Sequence, residues 1–219
     1  MKVLICAGHT LKGKGTGAIG YINESNENRI LSKKVVEYLR KTNIEVDYYE
    51  INEANDYLQK QVAAANKKNY DLVVQIHFNA NKKTNNPMGT ETLYSSNRGK
   101  PYAEKVTNKL GTIYKQRGVK YRDNLYWLNN TKAAAILIET CFVDSKADTD
   151  IYISNKDLTA KLIAEGITGK AISDTINKPI TSNKLYKVCV GAYKSKDNAD
   201  NQLKKAKEEG FKDAYIIVE

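Results

Sequence analysis

Histidine, cysteine and long apolar runs are all scarce in this chain of 219 residues. It holds two histidines, His9 and His77, and three cysteines, Cys6, Cys141 and Cys189. Three widely spaced cysteines predict neither a disulfide framework nor a CxxC metal site, so we expect buried, reduced thiols. No apolar run reaches the roughly 18 residues of a membrane span, and no signal peptide is recognisable. We therefore expect synthesis in the cytoplasm without a signal peptide.

Positive charge exceeds negative charge, with 35 Lys and Arg against 25 Asp and Glu and a formal net charge of +10. A basic surface attracts polyanions, but charge alone does not separate nucleic acid, anionic membrane and anionic cell-wall polymers. Many lysines stand beside acids, as in KKAKEE at 204–209, which is typical of a solvated helix face.

Apolar periodicity predicts strands that alternate with helices over residues 1–176. The predicted strands are 2–6, 44–51, 70–80, 90–95, 125–128 and 133–140, and the predicted helices are 24–41, 54–68, 101–117 and about 157–175. This alternation predicts an α/β fold with a mostly parallel sheet flanked by helices on both faces.

The pattern changes near residues 177–183, where Pro, Ser and Asn cluster as in a linker. Residues 184–219 then read as strand, helix and strand, which predicts a small C-terminal βαβ module. A segment of this length is too short for a robust core of its own. We expect it to pack on the first domain or on a copy of itself.

A glycine-rich loop follows the first strand, with the sequence GHTLKGKG at 8–15. It is one residue short of the phosphate-binding pattern G-x-x-x-x-G-K-[ST]. Gly15 stands where that pattern needs a hydroxyl after Lys14, and the next predicted helix begins about ten residues later instead of directly after the loop. These departures argue against a nucleotide-dependent enzyme.

Polar residues at strand ends favour a metal site instead. His9 follows the first strand, His77 ends the third, and Glu139 ends the strand at 133–140. The carboxyl ends of parallel strands share one edge of a sheet, where ligand sites form. Glu24, at the start of the first helix, adds a carboxylate, and two histidines with a glutamate are a ligand set of catalytic zinc. The alternative is an ordinary structural or surface role for each residue.

Four motifs in order carry a family resemblance: ICAGHTLKGKGTGAIG, then Glu24 with Asn28 in NESNENRILS, then VVQIHFNA, then AAAILIETCFVDSKAD. Together with GTETLYS at 89–95, they resemble the zinc-dependent N-acetylmuramoyl-L-alanine amidases over residues 1–176. The resemblance implies that His9, Glu24 and His77 bind Zn²⁺. It also implies that Glu139 is the general base for hydrolysis of the amide between N-acetylmuramic acid and L-alanine.

Two departures from that family pattern touch none of these four residues. Gln75 stands where a serine is frequent, and Cys141-Phe142 replaces a Gly-Phe pair. Asn79 is interpreted either as a hydrogen-bonding group near the metal or as a turn residue. For Tyr126-Trp127, the interpretations are sugar stacking or core packing.

The C-terminal segment carries a second resemblance, through LYKVCVGAYKSKDNADNQLKKAKEEGFKDAYIIV at 185–218. It resembles the first half of a sporulation-related repeat (SPOR) domain, a small fold that binds peptidoglycan. Because such a domain repeats strand, helix and strand twice, the resemblance implies a homodimer in which two copies pair their edge strands.

These observations predict a peptidoglycan hydrolase, of the endolysin type or a bacterial lytic enzyme, that acts on the cell wall after release. The expected partners are peptidoglycan and anionic wall polymers, without nucleic acid and without a membrane span. The alternatives are a catalytically idle module that binds the wall or polyanions, and a zinc peptidase that acts on stem peptides.

Overall fold

The structure is a computed structural model that describes residues 1–173 and 191–218. The chain forms two compact units, Met1–Ile176 and Asn177–Glu219. The predicted linker at 177–183, nearly all of the predicted strand that follows it, and Cys189 lie outside the described residues.

The first unit is built around a six-stranded sheet. Its strands are β1 (Lys2–Ala7), β2 (Glu45–Tyr49), β3 (Leu72–Asn79), β4 (Thr90–Tyr94), β5 (Gln116–Tyr121) and β6 (Ala134–Phe142). Their order in the sheet is β2-β1-β3-β6-β4-β5. The β4–β6 pair is antiparallel and every other pair is parallel, which confirms the prediction of a mostly parallel sheet.

Helices cover both faces of this sheet. They are α1 (Glu24–Arg40), α2 (Tyr57–Asn66), α3 (Lys100–Leu110), α4 (Tyr126–Asn130), α5 (Lys146–Ser154) and α6 (Lys156–Thr168). The larger apolar cluster joins one face to α1, α3 and α6, and a smaller cluster joins the opposite face to α2 and α4. Because both faces are buried, β3 and β6 are nearly continuous apolar runs instead of alternating ones.

The start of α1 is fixed by a side-chain cap. The Asn23 carboxamide oxygen accepts a hydrogen bond of 3.0 Å from the Asn26 backbone amide, so the helix begins at Glu24. An apolar stripe at a spacing of four residues then packs the helix onto the sheet, and it consists of Leu31, Val35 and Leu39. The cap and the stripe together place Glu24 at the edge of the sheet.

Three predicted elements differ from the structure. Residues 125–128 were predicted as a strand, but Tyr126–Asn130 form the short helix α4, because four apolar residues do not distinguish the two. The helix predicted over 101–117 ends at Leu110, where Gly111 follows, and β5 begins at Gln116. The final helix predicted over about 157–175 ends at Thr168, where Gly169 follows, and α5, whose N-cap is Ser145, was not predicted.

The second unit contains one helix within the described residues, α7 (Lys196–Glu208), which lies inside the predicted βαβ module. No side chain of α7 is buried. Residues 214–218, predicted as a strand, form no ladder with another described segment, and a single strand is not stable without a partner. In the part of the chain that the structure describes, no helix is long and apolar enough to cross a membrane.

Candidate metal centre

The topology of the sheet brings both histidines to one place. β1 and β3 are adjacent and parallel, with Ala7 paired to Ile76, while β2 lies on the other side of β1. The chain order therefore reverses between β1 and β3, and the crevice at such a reversal is where open α/β sheets bind ligands. His9 follows β1 and His77 lies near the end of β3, on the two sides of this crevice.

The structure brings the three predicted metal ligands into one cluster. His9 Nε2 lies 3.1 Å from Glu24 Oε1, and His77 Nδ1 lies 3.0 Å from the same oxygen. One ligand atom from each residue lies within 4.8 Å of the other two. The Glu24 side chain is 4% exposed, so this carboxylate has little contact with solvent.

Backbone groups orient each of these side chains. His9 Nδ1 donates to the Gly15 carbonyl oxygen at 2.9 Å, so Nε2 faces the cluster, with a lone pair when His9 is neutral and with a proton for Glu24 when it is charged. Glu24 Oε2 accepts from the Ala18 amide at 2.8 Å, and Oε1 accepts from the Phe78 amide at 3.2 Å. The donor atoms are thus held in place by the loop after β1 and by β3.

The electrostatics of the cluster suit a bound cation. Burial alone would raise the pKa of Glu24, but hydrogen bonds from His77 and His9 hold it well below its usual range. Burial lowers the pKa of His77. Burial also opposes the charge on His9, yet the hydrogen bond and charge of Glu24 raise the pKa of His9. An anionic Glu24 between two imidazoles therefore attracts positive charge, which a proton on His9 or a metal ion can supply.

Two glycines make room for these side chains, and the sequence analysis did not identify their role. A Cβ atom at Gly8 would lie 2.3 Å from His77 Nε2, and one at Gly17 would lie 2.7 Å from Glu24 Oε2. His77 Nε2 is buried without a hydrogen-bond partner among the described residues. Two imidazoles and a carboxylate in a cradle of this kind fit Zn²⁺, which prefers nitrogen and oxygen ligands of this set.

Glu139 lies in the sheet directly beside this cluster. It pairs with His77 across the β3–β6 ladder and with Glu91 across the β6–β4 ladder. Its Oε2 is buried and has no hydrogen-bond partner within residues 1–173 and 191–218. Burial, together with the negative charges of Glu24 and Glu91, raises the pKa of Glu139 to about 8.

Glu91 is a further residue of this region that the sequence analysis did not single out. Arg117 Nε donates to its Oε2 at 2.8 Å, and Asn79 Nδ2 donates to its Oε1 at 3.2 Å. Asn79 therefore hydrogen-bonds the carboxylate of Glu91, a role that differs from both interpretations made from the sequence, a group near the metal or a turn residue. The segment GTETLYS at 89–95 could have indicated this residue. Side chains alternate between the two faces of a strand, so Glu91 lies on the opposite face from Thr90 and Thr92.

Of the neighbouring pair Tyr126-Trp127, the structure assigns Trp127 to the core. Trp127 is 2% exposed, and its Nε1 donates to the Ile136 carbonyl oxygen at 3.2 Å, so it packs in the core. Tyr126, beside it, is 39% exposed. Cys6 and Cys141 are buried free thiols, as predicted.

Comparison with known proteins agrees with this geometry. The N-acetylmuramoyl-L-alanine amidase family matches residues 3–169, and the SPOR domain matches residues 156–217. An uncharacterised 38.4 kDa protein of Clostridium perfringens is 38% identical over 191 residues, which is 84% of this chain and 54% of that protein. The sporulation-specific N-acetylmuramoyl-L-alanine amidase of Bacillus subtilis is 29% identical over 172 residues, or 74% of this chain and 62% of that protein.

Solved structures show the same fold. The catalytic domain of the CD27L endolysin, which targets Clostridia difficile, is 35% identical with a TM-score of 0.73, covering 79% of this chain and 99% of that domain. This chain spans about half the length of the first curated relatives that it matches, 54% in each case. From its matched residues, its sheet and its relatives, the chain belongs to the N-acetylmuramoyl-L-alanine amidase family and carries a SPOR domain match toward its C-terminal end.

Proposed function

We propose that this chain is a zinc-dependent peptidoglycan hydrolase that cleaves the amide bond between N-acetylmuramic acid and L-alanine. The observation that carries the proposal is the cluster of His9, Glu24 and His77 beside Glu139 at one edge of the sheet. His9, Glu24 and His77 would hold the ion. When bound, zinc supplies Lewis acidity toward the amide carbonyl and lowers the pKa of water to about 7.

Glu139 is the proton carrier in this proposal. Its carboxylate accepts a proton from the water that attacks the lactyl carbonyl carbon, and it returns that proton to the L-alanine nitrogen as the C–N bond breaks. Its raised pKa, about 8, suits both roles near neutral pH, because a group with a pKa near the working pH can accept and donate. Glu91 contributes by placing a second negative charge across the ladder.

The biological setting that we propose is lytic, with action on the wall after release from the cell in which the chain is made. Two relatives support a wall substrate, since one is named as an endolysin and another as a sporulation-specific amidase. The SPOR match supports binding to peptidoglycan. Anionic wall polymers are additional proposed partners of this basic chain.

The homodimer through residues 184–219 stays a prediction. Within the second unit, Phe211 and Tyr215 are each 65% exposed and Val218 is 92% exposed, so apolar surface is available for a partner. Sedimentation at tens of micromolar tests it. A strict monomer with a folded second unit would contradict the dimer.

The test of the proposed function is digestion of purified cell walls with analysis of the products. We expect the zinc-loaded protein to release peptides with N-terminal L-alanine and no new reducing sugar ends, and we expect a chelator to abolish this release. Glu139→Gln should keep its zinc and lose activity by about 10²- to 10⁴-fold. Glu104→Gln, at a carboxylate that is 49% exposed on α3, is the matched control and should be unchanged.

Other products would contradict the proposed amidase activity. Zinc-loaded protein that binds walls without releasing any product would show a binding module. Release of stem-peptide fragments without N-terminal L-alanine would show a peptidase instead.

A further inference from the structure

A buried arginine lies next to the metal ligands on the helix that carries Glu24. Arg29 is 6% exposed, although arginine is among the residues least often buried. The four hydrogen bonds described for its guanidinium all go to neutral oxygens. The cost of desolvating a buried cation has to be offset by its hydrogen bonds. A guanidinium that donates to several backbone carbonyls therefore serves to hold those backbone segments together.

The hydrogen bonds of Arg29 join three segments around the metal cluster. Nη1 donates to the Ser25 carbonyl at 2.7 Å, in the first turn of α1 beside Glu24. Nη2 donates to the carbonyl oxygens of His9 at 3.1 Å and Ile51 at 2.7 Å. Nε lies 3.4 Å from Asn52 Oδ1. One side chain therefore links the loop after β1 to α1 and to the segment that follows β2.

Backbone hydrogen bonds also attach the loop after β1 to the segment that follows β2. The backbone carbonyl of Asn52 accepts from the amides of Leu11 at 2.8 Å and Lys12 at 3.1 Å. Leu11 and Lys12, two and three residues after His9, are thus held against Asn52, and Arg29 holds the His9 carbonyl itself.

His9 needs such support because its backbone is unusual. Its φ is +61°, and among the described residues it is the only non-glycine residue with positive φ. The left-handed region brings Cβ close to the backbone and is disfavoured for residues with a side chain. A backbone of this kind persists only where its surroundings impose it, and such residues concentrate at functional sites.

We propose that Arg29 is a positioning residue for the metal centre. By fixing the His9 carbonyl, it imposes the left-handed backbone that points Nε2 at Glu24 before the metal binds, and it thereby sets the affinity for the ion. This inference rests on the proposed function. Lysine cannot replace arginine here, because one ammonium group cannot reach three carbonyls at different angles as a planar guanidinium does.

The first test measures Zn²⁺ affinity by competition with a chelating dye for wild type, Arg29→Lys and the matched control Leu39→Ala. Leu39 is fully buried on the same helix, so its truncation destabilises the fold without touching the loop. We expect affinity to fall about 10- to 100-fold in Arg29→Lys and to stay unchanged in Leu39→Ala below its unfolding temperature. Equal affinity in wild type and Arg29→Lys, or an equal loss in both variants, would overturn the inference.

The second test needs no metal. In chelator-treated protein, trypsin cleavage after the exposed Lys12 and Lys14 reports opening of the loop. Cleavage there should be severalfold faster in Arg29→Lys than in wild type or Leu39→Ala. Unchanged cleavage would contradict a role for Arg29 in holding the loop.

A double variant shows whether Arg29 acts through His9. In a His9→Ala background, Arg29→Lys should cause no further loss of zinc affinity, since coupled residues are not additive. A further loss of the full size would overturn the inference. Wild type that binds no zinc would instead overturn the proposed function, whereas zinc binding that is indifferent to Arg29 overturns this inference alone.

Discussion

At the scale of single residues, the space around the proposed metal ligands depends on the absence of a side chain at Gly8. Gly8 lies against the His77 imidazole, where an added Cβ would come within 2.3 Å of Nε2. We expect Gly8→Ala to displace the ring and to weaken zinc binding by more than tenfold, measured by chelator competition. Gly118→Ala is the control, because Gly118 has a φ of +79° with open space around it. It should cost roughly 1 kcal/mol of stability and leave zinc affinity unchanged.

The raised pKa of Glu139 gives a second prediction at this scale. The pKa of about 8 in the folded state exceeds the ordinary value of 4.5, so the folded protein favours the protonated acid. The associated stability is present below pH 4.5 and is lost as the pH rises through 8. In metal-free protein, Glu139→Gln should therefore gain stability over wild type between pH 5 and pH 8, by on the order of a few kcal/mol. Thermal unfolding at both pH values checks it, and a constant difference between the two proteins would contradict it.

These residues also show what a sequence can and cannot reveal about a site. That His9, Glu24, His77 and Glu139 lie together was predictable, because rare histidines and matching acids stand at strand ends or a helix start. Arg29, by contrast, looks like an ordinary helix residue in the sequence. Its role depends on carbonyls that are 20 and 22 residues away in the sequence, which only the folded chain brings together.

At the scale of elements, the prediction of an α/β sheet is confirmed, but its strand order needed the structure. Parallel neighbours require a crossover of about a dozen residues or more, usually with a helix. The β3–β4 connection, residues 80–89, has no helix, which is consistent with an antiparallel β4. Which strand β4 pairs with was not predictable, because β6 lies more than 40 residues later and inserts between β3 and β4.

The loop after β3 gives a prediction at the scale of elements. Lys82 and Lys83 are exposed beside the edge that carries the metal cluster, and Lys83 Nζ lies 4.8 Å from the centre of the Tyr21 ring. If this edge faces an anionic wall, replacing both lysines with Gln should slow wall digestion severalfold at low salt and reduce its salt sensitivity.

The control variant removes the same number of positive charges at a different place on the first unit. Lys67, after α2, and Lys132, before β6, are exposed near the opposite edge of the sheet. Replacing this pair with Gln should leave digestion rates and salt dependence close to wild type. Equal effects of the two pairs would mean that total charge matters and the position of the loop does not.

At the scale of the whole molecule, metal binding should appear as folding stability. A ligand that binds only the folded state stabilises it by mass action, by about 4 kcal/mol at a thousandfold excess over Kd. We expect a chelator to lower the calorimetric unfolding midpoint of the first unit and added zinc to restore it. Glu24→Gln should lose most of this response, because it removes the charge between the two imidazoles. A midpoint indifferent to zinc in wild type would contradict a bound ion.

The order of strands divides the chemistry of this protein between two halves of its chain. All three proposed metal ligands come from residues 1–79, which form β2, β1 and β3, whereas Glu139, the proposed base, comes from β6 in the other half of the sheet. The two halves meet along one seam, where His77 pairs with Glu139. A slip of two residues at this seam would leave the proposed metal cluster intact and move the proposed base roughly 6.6 Å away from it. Under the proposed function, metal binding and hydrolysis therefore depend on separate halves of the chain, and the register of β3 against β6 determines whether the two occur together.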